Sequence, residues 1–107
     1  MKKVHETAKL VFREKLSLQS GLLRDEVIWK IPKSERYPEG IRYCLALVDP
    51  TAEKVLVLFD NHHPKGHHRH FQDGREEPYQ FDTVEQLIKD YLAAVDQEER
   101  NRESKKD

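Results

Sequence analysis

The sequence has a single cysteine, Cys44, and no apolar run long enough to cross a membrane. One cysteine cannot form an internal disulfide, so nothing in the chain indicates an oxidising compartment. Cys44 lies in an apolar segment, which predicts a buried small side chain rather than a nucleophile. A membrane span needs about 20 apolar residues, and the N-terminal residues lack the apolar core of a signal peptide. We therefore expect a cytoplasmic protein with no membrane association.

The chain also has no excess of charge of one sign. Its 19 Lys and Arg residues are balanced by 20 Asp and Glu residues, which gives a net charge of -1. The chain as a whole is therefore not a polycation attracted to nucleic acid, and any attraction to phosphate must be local. A length of 107 residues leaves room for a single domain. We expect the core of this domain to span residues 8–96, with residues 97–107 as a charged helical extension or tail.

Two N-terminal segments have the pattern of half-buried β-strands. Apolar side chains recur with a period of two over residues 10–18, and again over residues 23–31. In the second segment the alternation places Trp29 on the buried face, and Glu26 and Ile28 on the solvated face. Such an alternation is typical of an antiparallel sheet with one face in water.

Two further segments are joined by a short turn. Residues 41–48 are apolar at nearly every position, which predicts a central strand covered on both faces. Residues 54–59 continue the apolar character, and the sequence Asp-Pro-Thr-Ala-Glu between the two segments is typical of a turn. The two segments are therefore predicted to form a β-hairpin. Short strand pieces are also expected at Phe71 and over residues 79–81.

One amphipathic helix follows. Asp82 is suited to the N-cap position, with Glu85 three residues later. The apolar stripe at helical spacing consists of Val84, Leu87, Ile88, Tyr91, Leu92 and Val95. This stripe must pack on the sheet, because an isolated helix of this length would be marginally stable. The predicted fold is therefore α+β: a mostly antiparallel sheet in meander order, with one C-terminal amphipathic helix packed on it.

The histidines are concentrated in one short segment. Five of the six lie between His62 and His70. This segment has no apolar periodicity, so packing does not account for the cluster. Any chemistry is therefore expected between Asp60 and Phe71.

Acid–base catalysis on a phosphodiester is one interpretation of the cluster. A metal-independent ribonuclease needs a base for the 2′-hydroxyl proton, an acid for the leaving 5′-oxygen and cations around the phosphate. Histidine titrates near neutral pH, so two histidines can share the two roles. On an extended strand, His68 and His70 would point to one face and Arg69 to the other. Lys65 and Arg69 would supply fixed positive charge.

Two other interpretations stay open at this point. His68 and His70 would make a good bidentate element for Zn²⁺, completed by Asp60 or His63, although the two cations within the cluster would repel a dication. Alternatively, the segment is an exposed polar loop whose histidines are incidental or bind a partner.

The polar residues around the cluster each have two interpretations. Asp60 and Asn61 are either substrate-binding residues or ordinary turn formers that end a strand. Tyr79 can hydrogen-bond a phosphate or pack its ring against the sheet. Glu76 and Glu77 are expected to be solvated rather than catalytic.

The order of the motifs resembles a known family. The motifs are Ile41-Arg42-Tyr43 with Leu45, Leu58-Phe59-Asp60-Asn61, Lys65-Gly66-x-His68-x-His70 and Glu77-Pro78-Tyr79-x-Phe81. This ordered set resembles the TumE-like toxins, small bacterial and archaeal proteins encoded beside a helix-turn-helix antitoxin of the Xre type. The resemblance covers residues 8–96. The histidines at 62, 63 and 67 fall outside the matched positions and are expected to be bystanders.

The resemblance implies a toxin of a toxin–antitoxin pair, and hence an Xre-type helix-turn-helix antitoxin as partner. It brings no catalytic assignment. We predict an RNA-cleaving enzyme with no cofactor, and leave a homo-oligomer open. The predicted catalytic residues are His68, His70 and Lys65, and the predicted substrate-binding residues are Asp60, Asn61, Arg69 and Tyr79. The alternatives are a non-enzymatic module that acts by binding its protein partner, and a metal-dependent nuclease.

Overall fold

The computed structural model describes residues 8–105. Within these residues, six strands precede one helix: β1 (Lys9–Ser17), β2 (Leu23–Lys30), β3 (Ile41–Asp49), β4 (Lys54–Asp60), β5 (His68–Phe71), β6 (Glu76–Pro78) and α1 (Val84–Lys105). The strands form one sheet in sequence order, and every neighbouring pair is antiparallel. The predicted α+β class, the meander order and the C-terminal helix are confirmed. No helix among these residues combines the length and the apolar character that a membrane span requires.

The two faces of the sheet have different surroundings. We name the face that α1 covers the helix face and the opposite one the open face. The helix face carries the buried side chains of Ile28, Leu45 and Phe59, and the Phe59 ring meets Tyr91 of α1 edge to face, with ring centroids 5.9 Å apart. Because side chains alternate along a strand, the residues next to these point to the open face. The central strands β2, β3 and β4 therefore each supply both a core and a surface.

The prediction for β2 is wrong about which of its faces is buried. Ile28 is fully buried and Glu26 is only 2% exposed, whereas Trp29 keeps 36% of its surface exposed. Ile28 pairs with Tyr43 of β3 on the helix face. The carboxylate of Glu26 interrupts the apolar pattern of the core face, and Trp29 places an apolar side chain on the open face. Because of these two residues, the alternation in the sequence predicted the opposite orientation of β2.

An ion pair accommodates the buried Glu26. The Arg24 guanidinium donates from Nε and Nη2 to its two carboxylate oxygens over 2.6 and 3.1 Å. Residues two apart on a strand share a face, so this bidentate pair forms within β2 itself. The hydrogen bond with Glu26 raises the pKa of Arg24. Burial, together with the Glu26 charge, raises the pKa of Tyr91 on the helix above it.

The predicted hairpin of β3 and β4 is confirmed, but β3 is covered on one face only. At the turn, Asp49 Oδ1 accepts two backbone N–H groups over 3.1 and 3.2 Å. Leu45 and Leu47 are buried, whereas Arg42 and Cys44 are exposed. The predictions of a strand covered on both faces and of a buried Cys44 are wrong, because no strand or helix within residues 8–105 packs on the open face.

The helix begins one residue later than predicted. Thr83, not Asp82, is the N-cap, since its Oγ1 accepts the N–H of Gln86 over 3.0 Å. In the predicted apolar stripe Leu87, Tyr91 and Val95 are buried, Val84 and Ile88 are half-buried, and Leu92 is 36% exposed. The stripe therefore packs on the sheet as predicted, with the exception of Leu92 at its edge.

The charged segment after residue 96 continues the helix to Lys105. Two of its acidic side chains accept hydrogen bonds from residues in the turns between strands. Gln72 donates to Glu98 over 2.8 Å, and the Ser20 hydroxyl donates to Glu99 over 2.7 Å. Of the segment for which we expected a helical extension or tail, the structure describes the part up to Lys105, and residues 106–107 lie outside it.

Candidate functional site

His68 and His70 lie on β5 with both rings on the open face. Their partners across the sheet are Asp60 and Leu58 of β4. The ring centroids are 4.7 Å apart, with an interplanar angle of 73°. This confirms the prediction that the two imidazoles share one side of the strand and lie close together. His68 is 7% exposed, while the side chain of His70 is 31% exposed.

Both ring nitrogens of His68 face oxygen atoms. Nδ1 donates to the Gly66 carbonyl over 2.7 Å, because a carbonyl oxygen can only accept. Nε2 lies 3.1 Å from Asp60 Oδ1, directly across from β4. Gly66 has a φ of +72°, a left-handed conformation that favours glycine and directs its carbonyl at the ring. The structure therefore fixes the orientation of His68 and leaves proton exchange to Nε2.

His70 is next to a carboxylate that the sequence prediction assigned to solvent. Its Nδ1 lies 3.7 Å from Glu76 Oε1, because Glu76 of β6 pairs with His70 in the sheet. Lys65 donates to the other oxygen of Glu76 over 2.5 Å. The hydrogen bond with Lys65 lowers the pKa of Glu76, and the positive charge of Lys65 adds to the effect. Lys65 therefore lies at the rim of the histidine pair, with its charge shared with Glu76.

The same residues also form a possible metal-ligand set. Ligand atoms from His68, His70 and Glu76 all lie within 4.8 Å of one another. Two histidines and one carboxylate are suited to Zn²⁺ and to other transition metals. The bond from His68 Nδ1 to a backbone carbonyl is also typical of histidines that bind metal through Nε2. This set differs from the predicted one, because Glu76 replaces Asp60 or His63 as its third member.

Asn61 is part of the scaffold and does not face the histidine pair. It is 2% exposed, and its side chain accepts the N–H of Tyr43 and donates to the carbonyl of Ile41, both over 2.9 Å. These two bonds continue the pairing of β3 beyond the end of β4. They fix the point at which the chain leaves the sheet and enters the histidine segment.

Arg69 and Tyr79 lie on the helix face, opposite the histidines. Arg69 donates twice to Glu77, over 3.1 and 2.8 Å, and its guanidinium lies 5.9 Å from the centroid of the Tyr79 ring. Tyr79 is buried, and its hydroxyl donates to Asp90 of α1 over 2.6 Å. Burial, and then the Asp90 carboxylate, raise the pKa of Tyr79. The structure therefore separates both residues from the histidine pair and places them in packing roles.

His67 is an ordered residue that sequence reasoning treated as a bystander. Its Nε2 lies 3.0 Å from Glu39 and its Nδ1 2.8 Å from the Tyr43 hydroxyl. The carboxylate can only accept, so in the neutral ring Nε2 carries the proton and Nδ1 accepts from the Tyr43 hydroxyl. The ring stacks on Phe81 with centroids 4.8 Å apart. His67 thus fastens the loop that leads into β5.

Glu76 is the main residue of the site that sequence reasoning missed. The signal was present, because β5 and β6 form a hairpin and alternation then places Glu76 on the face of His70. The predicted strand piece over residues 79–81, however, lay beyond the real β6. With that register, Glu76 had no partner in β5.

The comparison with family models gives one match, to a family described as Toxin TumE, over residues 2–99. No curated protein and no solved structure matches the chain. The matched region contains all six strands, both histidines of the pair and most of α1. The chain therefore belongs to the TumE toxin family, and is the toxin component of a pair that includes an antitoxin.

Proposed function

We propose that this toxin cleaves RNA at the His68–His70 pair. The observation that carries the proposal is the pair itself: two imidazoles 4.7 Å apart on the uncovered face of the sheet. Histidine can give or take a proton near neutral pH without strong perturbation, so two adjacent rings supply both an acid and a base. The family match supports a toxin, and cleavage of RNA would account for its toxicity.

The reaction needs one proton donor and one proton acceptor. The base removes the 2′-hydroxyl proton, the 2′-oxygen forms a bond to phosphorus, and the bond from phosphorus to the 5′-oxygen breaks. The acid protonates that 5′-oxygen, so the products are a 2′,3′-cyclic phosphate and a free 5′-hydroxyl. No other reactant is consumed in this step.

The surroundings of the two rings suggest which one has which role. Within residues 8–105, Nε2 of His70 has no hydrogen-bond partner in the chain, which suits a base. His68 has an oxygen acceptor at each nitrogen, so both N–H groups of an acid would find a partner. Asp60 would hold the Nε2 proton until the leaving oxygen approaches. Lys65 would add positive charge at the phosphate.

Purified protein, free of antitoxin, incubated with single-stranded RNA tests the proposal. We expect cleavage that a chelator does not reduce, a 2′,3′-cyclic phosphate on the product, and no cleavage of DNA, which lacks the attacking hydroxyl. The rate should follow a bell-shaped pH profile, because one histidine must be neutral while the other is protonated. A rate that rises steadily across the titration range of histidine would contradict the shared roles.

A metal-dependent nuclease is the second candidate, because His68, His70 and Glu76 converge as a ligand set. This candidate predicts the opposite responses. A chelator would abolish cleavage, added dications would restore it, and DNA could also be cut, because the attacking group would be a metal-bound water. The informative result is a loss of cleavage in Glu76→Gln that no concentration of dication restores. That result would argue against metal-free catalysis, in which Glu76 has no role, and against a role of Glu76 that is limited to charge screening.

A toxin that acts only by binding is the remaining alternative, and the partner itself offers the test. We propose that the antitoxin is of the Xre helix-turn-helix type. His68→Ala combined with His70→Ala should abolish cleavage while the protein still binds this antitoxin through another surface. If the wild-type protein cleaves no RNA, the binding-only alternative is favoured.

A further inference from the structure

Trp29 is a large apolar residue on the open face with no structural role in the core. It is the only tryptophan in the chain and is 36% exposed. Arg42 of β3 lies directly across the sheet from it. The Arg42 guanidinium in turn lies 3.1 Å from Nδ1 of His62, just beyond β4. A flat aromatic surface thus has two nitrogen-rich side chains beside it.

These residues line a groove of about 430 Å³ on the open face. Its walls include Trp29, Arg42, Cys44, Asp60 and His62. Val27 and Trp29 supply apolar surface to the groove, and Arg42, Asp60 and His62 supply its charged and polar groups.

The groove is adjacent to the histidine pair. Sheet register places Val27, Cys44, Asp60 and His68 in one row across four strands. Asp60 both lines the groove and lies 3.1 Å from His68 Nε2. Neighbouring strands are about 4.8 Å apart, so the centres of β2 and β5 are separated by roughly 14 Å. A chain of nucleotides lying across the strands would reach both the groove and the histidine pair.

We infer that this groove binds single-stranded RNA, with one unpaired base stacked on Trp29 and an adjacent phosphate held by Arg42. The inference rests on the proposed function and adds the way in which the substrate is held. Every base has a π-face, and aromatic side chains next to cations are the common means of binding single strands without strict sequence preference. A duplex does not fit this mode, because its bases are already stacked on one another.

Arg42 is the cation with which the groove would hold a phosphate. Arg42 lies on one side of Trp29, and Arg13 of β1 faces the same side of the sheet, opposite Val27. Asp25 and Asp60 also face this side, but Asp60 is directed at His68. The protein as a whole has a net charge of -1, so attraction to a phosphate chain must come from a local arrangement such as this one.

The test uses binding of an oligonucleotide that cannot be cut. A short single-stranded RNA of mixed sequence, methylated at every 2′-oxygen and labelled with fluorescein, is titrated with the full-length toxin in the presence of chelator. We expect saturable binding by anisotropy, and quenching of Trp29 fluorescence by the unlabelled form of the same strand. The corresponding duplex should bind far more weakly and quench little.

Substitutions locate the contact. Trp29→Ala should weaken binding about 5- to 150-fold, which is the range for loss of one base stack. Trp29→Phe should retain most of the affinity, because it keeps an aromatic face. Arg42→Ala should weaken binding and reduce its dependence on salt. Leu92→Ala is the matched control, since Leu92 is also 36% exposed but lies on α1, and it should bind like the wild type.

Each alternative outcome is distinct. Unchanged affinity in Trp29→Ala, equal affinity for the duplex, or no binding of any strand would overturn the inference. Quenching of Trp29 by purified antitoxin alone would assign the groove to a protein partner instead. Binding that depends on Trp29, without cleavage of ordinary RNA, would remove the proposed function and leave the groove as an RNA site. Cleavage of RNA that Trp29→Ala does not change would keep the proposed function and remove the inference about the groove.

Discussion

The helix face and the open face of one sheet are built from alternate residues of the same strands, yet they differ in how their polar groups are satisfied. On the helix face Glu26 is neutralised by Arg24, and the Tyr79 hydroxyl donates to Asp90. On the open face Nε2 of His70 has no hydrogen-bond partner among residues 8–105, and Trp29 keeps an exposed ring. The helix face thus stabilises the domain, while the open face keeps groups that can act on another molecule.

The largest expected effect separates two adjacent residues of β5. His70→Ala should reduce RNA cleavage by about 10²- to 10⁴-fold, because it removes the proposed base, and should change the free energy of unfolding little. Arg69→Ala should have the opposite result. It should cost about 1–2 kcal/mol of stability through the lost bonds to Glu77, a part-exposed pair, and leave cleavage by the folded protein unchanged. Initial rates and urea unfolding of both variants provide the measurement.

The comparison would fail if Arg69→Ala abolished cleavage in a protein that is still folded at the assay temperature. In that case the guanidinium would have to reach the phosphate around the edge of β6. Circular dichroism at the assay temperature is the necessary control.

A second prediction compares two leucines of α1. Leu87 is fully buried against the sheet, whereas Leu92 is 36% exposed. Leu87→Ala should lower the free energy of unfolding by about 2–5 kcal/mol, because it leaves a cavity in the core. Leu92→Ala should cost about 0.5 kcal/mol or less. Equal and small losses in both variants would mean that the helix face is not the principal core.

A third prediction concerns Tyr79, which the sequence placed among the substrate-binding residues. Tyr79→Phe removes the donor to Asp90 and should cost about 1–3 kcal/mol, because a charged acceptor loses its partner. The KM for RNA should not change, because the hydroxyl lies on the helix face. An increase in KM without loss of stability would place Tyr79 at the substrate.

The smallest expected effect is a titration. Lys65 lowers the pKa of Glu76 through their hydrogen bond, so Lys65→Ala should raise that pKa toward the ordinary glutamate value. A carboxyl group whose pKa is lowered by folding stabilises the protein when the pH is above the pKa that the group has in the unfolded chain. This contribution is lost as the pH falls through the pKa of the group in the folded protein. The acid-side fall in stability should therefore be smaller in Lys65→Ala, although the effect is weak for so exposed a pair. NMR titration of the Glu76 side chain measures the shift directly, with Glu77 as internal reference.

The sequence predicted the fold well where local patterns determine structure. The hairpin of β3 and β4, the meander order and the stripe of α1 all depend on nearest-neighbour pairing and helical spacing. It failed on β2, because Glu26 occupies a core position. A buried charge is tolerated only with a partner, and the partner, Arg24, looked like part of a solvated face. Two charged residues two apart are therefore compatible with either face of a strand.

The candidate site was predictable to the same extent. That His68 and His70 share a face follows from their spacing alone. Asp60 and Glu76 enter the site through the registers of β4 with β5 and of β5 with β6, and these registers depend on how the intervening loops close. The polar loop over residues 61–67 has no sequence pattern that determines its conformation. Its geometry depends on the contacts of Asn61 and His67 with distant residues.

The sequential order of the strands has a consequence for how the protein folds. Each strand pairs with its neighbour in the chain, so the sheet can assemble by a series of short loop closures, which is the arrangement that favours fast folding. Among the strands and the helix within residues 8–105, α1 alone must return over a long stretch of sequence, for example to bring the Tyr91 hydroxyl to the carbonyl of Ala46, 45 residues earlier. During synthesis the apolar side of the sheet therefore stays uncovered until residues 84–105 have left the ribosome. The histidine pair, on the other side, depends only on strands that are already complete.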